Sequence, residues 1–152
     1  MATTITKPVV LSWANKDNTI MVEPEDEDRF FVTVEEAIRA CGAHGQGKKS
    51  RCQEQFRTLR ETLFLWAREQ SKMVNKAFIT VQDHGLLFLV ITHSKKFDRE
   101  FEDKLTDLDL QIARSDDFSE IDLSVQSLPD CNPDNYQSFC DPDFTLELKI
   151  KD

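Results

Sequence analysis

No stretch of this chain is apolar for long enough to cross a bilayer, since the longest run, Leu86 to Ile91, has only the length of a strand. No signal peptide is expected either: Val9–Val10–Leu11 is too short for the apolar region of one and lacks the basic flank and small-residue cleavage site that go with it. Both absences predict a cytoplasmic address without membrane contact, where Cys41, Cys52, Cys131 and Cys140 stay thiols instead of forming bridges. Internal repeats, low-complexity tracts and linkers are also absent, so residues 1–152 read as a single domain.

Positive charge is in short supply. Nineteen Lys/Arg face twenty-eight Asp/Glu, a net charge of −9, and the resulting field repels phosphate backbones and anionic headgroups. Nucleic acid is therefore an unlikely partner on charge grounds. The deficit is uneven: residues 48–76 carry eight Lys/Arg against three Glu, whereas residues 97–152 carry five against sixteen Asp/Glu, a net of −11.

Core-forming residues, by contrast, are plentiful. Hydrophobic residues make up 39% of the chain, with eleven Phe and two Trp, and chains of about 150 residues bury roughly 68–70% of their unfolded surface without needing disulfides. Val9–Trp13 and Thr19–Val22 predict a hairpin turning at Asn15–Asn18. The acidic run Glu23–Asp28 reads as a solvated loop, and Phe30–Phe31–Val32 as a return to the core. Thr33 with Glu36 has the form of a capping box opening a short helix that Gly42 stops, and Gly42–Lys49 reads as a loop. Ser50 with Gln53 predicts a second start, followed by Cys52, Phe56, Leu59, Leu63, Trp66 and Met73 at helical steps.

Ala77–Gln82 and Leu86–Thr92, joined through Asp83–His84–Gly85, predict a hairpin whose second strand has both faces covered. Ser94 reads as the cap of a helix carrying Phe97, Phe101, Leu105, Leu108 and Ile112, although Leu108, Leu110 and Ile112 also alternate as in a strand. Ile121–Val125 and Phe144–Ile150 alternate as strands around a loop from Pro129 to Pro142. Together these predict an α+β fold: a mainly antiparallel sheet backed by two longer helices, plus one short N-terminal helix.

Chemical motifs are incomplete. Gly42, Gly47 and Lys48 have the spacing of a phosphate-cradling loop, but Lys49 occupies the hydroxyl position and a helix replaces the preceding strand. Asp130, Asn132, Asp134, Tyr136, Ser138 and Asp141 follow the ligand spacing of a calcium loop, but Asn135 replaces the turn glycine and Pro133 stiffens the middle. Cys41, His44 and Cys52, with Cys131 or Cys140, match no usual zinc spacing. His84 and His93 read as turn and strand-end residues rather than bases. Asp98, Glu102, Asp103, Asp107 and Asp109 read as a solvated helix face, and Arg57, Arg60, Arg68 and Lys72 as partners of Glu54, Glu61 and Glu69.

No catalytic residue and no cofactor is predicted. The leading expectation is a non-catalytic protein-binding or accessory module whose acidic C-terminal half meets a basic partner or a second copy. The alternative is a small metal- or nucleotide-binding enzyme using residues 42–49 or 130–141. A third possibility is a mimic of phosphate charge that sequesters a DNA-binding factor.

Overall fold

Leu86–Leu87–Phe88–Leu89–Val90–Ile91 has no polar side chain to turn toward water, so it must be covered on both sides. The computed structural model of the protein, which describes residues 8–14, 19–40, 46–82, 85–141 and 143–150, places this run inside a six-stranded sheet, every residue of it buried. The strands are β1 (Val9–Ala14), β2 (Thr19–Val22), β3 (Val74–Gln82), β4 (Gly85–Thr92), β5 (Leu123–Leu128) and β6 (Thr145–Leu148). The helices are α1 (Glu27–Ala40), α2 (Gln46–Glu69), α3 (Arg99–Arg114) and the single turn α4 (Pro133–Tyr136).

The strand order is β2-β1-β6-β3-β4-β5. Both expected hairpins form, β1 with β2 and β3 with β4. The sheet is nonetheless mixed and not mainly antiparallel, because β1–β6 and β4–β5 pair in parallel. The reason lies in the connections: α3 carries the chain back along β4, so β5 enters in the same direction, and β6 inserts between β1 and β3.

Three helices are long, rather than two. The acidic run is not an open loop: after a 3-10 turn at Pro24–Asp26, α1 begins at Glu27, where carboxylates suit the positive end of a helix. Thr33 therefore lies inside α1 and opens nothing; its hydroxyl donates back to the Arg29 carbonyl at 2.9 Å. Phe31 and Val32 stay outside the core at 65% and 50% exposure. Likewise α2 starts at Gln46, ahead of Ser50. Asp98, not Ser94, caps α3, accepting from the Phe101 N–H at 3.1 Å, and α3 continues to Arg114, which excludes a strand at 108–113.

One sheet face carries the main core. Val9, Leu146, Ile79, Phe88 and Val125 form a row across five strands. Above the sheet pack Phe56, Leu59, Leu63, Phe64 and Ala67 of α2 and Phe101, Leu105, Leu108 and Ile112 of α3. Trp66 sets its ring edge-on to Phe88 at 6.0 Å and to Phe101 at 5.8 Å. Arg60, expected to pair with glutamates of its own helix, lies between the rings of Phe30 and Phe56, its guanidinium 4.9 Å and 5.0 Å from their centroids. Burial lowers this group to about 10, with Glu61 opposing and Arg57 assisting the shift, so it stays charged at neutral pH and ties α1 to α2 as a cation over two rings.

The opposite face is covered differently. Phe78, Leu87, Leu89 and Ile91 meet Tyr136, Cys131, Phe139 and Cys140 from the segment that follows β5. Tyr136 stacks obliquely on Phe78 at 5.4 Å, and Lys76 Nζ reaches its hydroxyl at 3.4 Å. A threonine latch holds the segment down: Thr80 and Thr145, paired across β3 and β6, join hydroxyls at 2.8 Å, and the Asp141 N–H donates to Thr80 Oγ1 at 2.8 Å. Thr80→Val removes that acceptor while keeping the shape of the side chain, leaving a part-buried N–H unpaired. We expect a loss of about 1–3 kcal/mol in urea unfolding and faster exchange of the Asp141 amide.

Beside this cover, Glu147 of β6 points from the same face next to Val10 and Phe78. Burial raises its carboxyl above the ordinary glutamate range, and the Lys76 ammonium pulls it partway back. The folded protein thus holds this proton at pH values where the unfolded chain has released it, so stability falls as pH rises through that window. Glu147→Gln is expected to match the native urea midpoint in acid and to exceed it increasingly as pH climbs past the ordinary glutamate value. Equal midpoints at neutral pH would count against this effect.

Candidate functional site

The two loops that carried chemical motifs are described only in part. Gly42 and His44 lie outside the described residues, while Gly47 and Lys48 fall in the first turn of α2, behind helix α1 instead of a strand. The Asp130–Asp141 stretch lies across the sheet from α2, on the second face. Within it, Asp130 donates its N–H to the Ser94 carbonyl at 2.9 Å, Asn132 precedes the turn Pro133–Tyr136 that holds Asp134, and Tyr136 is buried. Tyr136 and Asp141 thus hold the segment to the sheet. Among the described residues, no three carboxylate, imidazole or thiol groups gather closely enough to share a metal ion.

The cysteines are separated as well. Cys41 lies outside the described residues, Cys52 is buried on α2, and Cys131 and Cys140 pack on the opposite face of the sheet. Burial pushes the Cys140 thiol up to about 11, against a smaller pull from the Thr145 hydroxyl, so its nucleophilic thiolate is scarce at neutral pH. His84 lies outside the described residues, and His93 sits exposed at the end of β4, its N–H bonded to the Met73 carbonyl at 2.8 Å. No helix among the described residues is long and apolar enough to cross a membrane.

Among the described residues, three surface depressions can be compared. One of about 540 Å³ lies between α2 and the turn at Asp116–Phe118, lined in part by Arg51, Gln55 and Asp117. Several of its polar groups are already engaged: Gln55 Oε1 accepts from the Glu120 N–H at 2.7 Å, Gln55 Nε2 donates to Ser119 Oγ at 3.1 Å, and Arg51 pairs with Glu120 at 3.6 Å. A second, of about 330 Å³, includes Glu36 and Arg39, which bond each other at 2.7 Å.

The third depression, a groove of about 400 Å³, differs from both. Helix α3 supplies Glu102, Leu105, Thr106 and Asp109, strand β5 supplies Val125, Gln126 and Ser127, and Phe97 completes the lining. It exists because α3 lies over β4 and β5 through Phe101, Leu105 and Leu108, leaving a trough between the helix flank and the last strand of the sheet. Glu102 accepts a hydrogen bond from the Ser127 hydroxyl, tying helix to strand at the base of the trough. Both ionisable residues in the lining, Glu102 and Asp109, are carboxylates. Phe97, expected to be a core position of α3, lies before the helix start and is 77% exposed.

This groove escaped the sequence reading, although two signals for it were available. Phe97 stands one residue before an Asp suited to N-capping, and the β5 segment Leu-Ser-Val-Gln-Ser-Leu holds no charge and no proline. Compared with known proteins, the chain matches no family model, no curated protein and no solved structure.

Proposed function

We propose that the protein is a non-catalytic binding module that receives a basic partner protein in the acidic groove between α3 and β5. The observation that carries this is the groove lining itself: Glu102 and Asp109 flank Leu105 and Val125, with the exposed ring of Phe97 alongside. A groove that offers carboxylates beside apolar side chains suits a chain segment that alternates apolar and cationic side chains. Long-range attraction supports it, because residues 97–152 carry a net charge of −11.

An octapeptide of alternating lysine and valine, with blocked ends, is a direct probe. Its affinity should fall at least about tenfold between about 50 and about 300 mM salt. Asp109→Lys should weaken it by a similar factor, whereas Glu25→Lys, in the 3-10 turn before α1, should not. Binding that ignores both salt and Asp109→Lys would refute the proposal.

A further inference from the structure

We infer that the partner binds by strand addition: an extended, lysine- or arginine-bearing segment of another protein pairs with the free edge of β5 and lays alternate side chains into the groove beside α3. This rests on the acidic groove being the binding site and adds how the partner is held. Among the described residues, β5 is the last strand of the sheet, and its partner β4 lies on one side only. Its six residues pair with β4 in unbroken register, without a bulge.

The direction of its free groups follows from one bond. The Asp122 carbonyl accepts from the Leu86 N–H at 2.8 Å, so it points toward β4. Backbone groups alternate sides along a strand, which turns Ser124, Gln126 and Leu128 toward β4 and Leu123, Val125 and Ser127 toward the open edge. Those same three residues send their side chains to the α3 face, since they pair with Leu86, Phe88 and Val90 of the main core. A chain added at this edge therefore finds backbone partners and the groove on one side of one strand.

Natural sheets usually protect such an edge with lysine, proline, a bulge or a covering element. β5 carries neither lysine nor proline, its register is regular, and α3 covers a face of it while leaving the edge open. The opposite edge, β2, offers only four residues. A second copy is the wrong occupant on charge: at −9 per chain, edge-to-edge pairing would bring two acidic grooves together. A cationic segment is attracted where a copy is repelled, and main-chain bonds supply affinity with little demand on sequence.

The test compares the lysine–valine octapeptide with a lysine–proline octapeptide of equal charge, which cannot form a ladder because proline lacks the N–H and restricts the residue before it. The first should bind at least about tenfold more tightly, and at saturation amide exchange at Leu123, Val125 and Ser127 should slow by about tenfold or more. Ser124 and Gln126, already turned toward β4, should change little. Val125→Pro removes an edge-facing N–H without touching the β4 ladder and should abolish the difference between the peptides; the exchange data on the native protein stand even if this variant folds poorly.

Equal binding of both peptides, with exchange unchanged at those three amides, overturns strand addition while leaving recognition by charge intact. Binding of neither peptide overturns both. A dimer of the protein alone at low salt, dissolved by Val125→Pro, would assign the edge to a second copy and likewise overturn the inference.

Discussion

Replacing Gly85 by alanine should destabilise the protein by about 3–5 kcal/mol, combining backbone strain with a forced displacement in a packed region. Gly85 has φ +148°, a conformation that side-chain-bearing residues rarely adopt, and a Cβ built there would stand 2.4 Å from the Asp122 carbonyl oxygen. That oxygen accepts from the Leu86 N–H, and the same stretch leads into β5, so moving it disturbs the start of the β4–β5 ladder. The urea midpoint should drop sharply, and the Leu86 amide should lose exchange protection beyond what the global loss explains. A midpoint within experimental error of the native one would show that the Asp122 strand end can shift freely.

Phe88→Ala is expected to cost a comparable amount, about 3–5 kcal/mol, through lost transfer energy and an unfilled cavity. Phe88 is fully buried in the middle of β4, between Ile79 of β3 and Val125 of β5, with the Trp66 ring edge-on above it. Since Trp66 also packs on Phe101, the damage should reach the α2–α3 contact. Tryptophan fluorescence should shift to the red in the folded variant, and Phe88→Leu should recover much of the stability. Loss of less than about 1 kcal/mol would mean that neighbouring helices collapse into the space.

The paired effect of these two substitutions bears on function, because both act on the strand against which β5 is built. Gly85→Ala loosens the entry to β5 from below, whereas Phe88→Ala loosens the α3 side that forms the groove wall. Peptide binding should weaken in either variant only to the extent that it unfolds. Substitutions at Asp109 or Val125 are expected to act on binding directly.

Much of the architecture could be read from side-chain order. Runs with no polar interruption became the covered strand β4, and apolar residues at helical steps became α2 and α3 with Phe56, Leu59, Leu63, Phe101, Leu105, Leu108 and Ile112 buried as expected. Starts and stops were less legible. Thr33 and Ser50 have capping side chains, yet both lie within helices that begin earlier; the Thr33 hydroxyl bonds back to the preceding turn, and Glu27 and Asp28 support the start of α1. Gly85 reads as part of the connection, yet it pairs with Gln82 and opens β4 with a positive φ, so only two residues join the strands, not three.

The candidate site was the least legible part. Its ingredients, Phe97, Glu102, Asp109 and Val125, stand at separations that carry no local pattern, and only the return of α3 over the sheet brings them to one groove. Arg60 shows the same limit: among the alternating charges of α2 it reads as a partner of glutamates, and its place between two rings depends on where α1 packs.

Hydrophobic order along the chain was enough to set the covered strand β4 and the inward faces of α2 and α3, because burial of apolar side chains is a property each segment carries with it. Strand order, the parallel pairings of β1 with β6 and β4 with β5, and the open acidic edge arose only when distant segments met, since pairing partners compete on contacts and connection geometry that no local window contains.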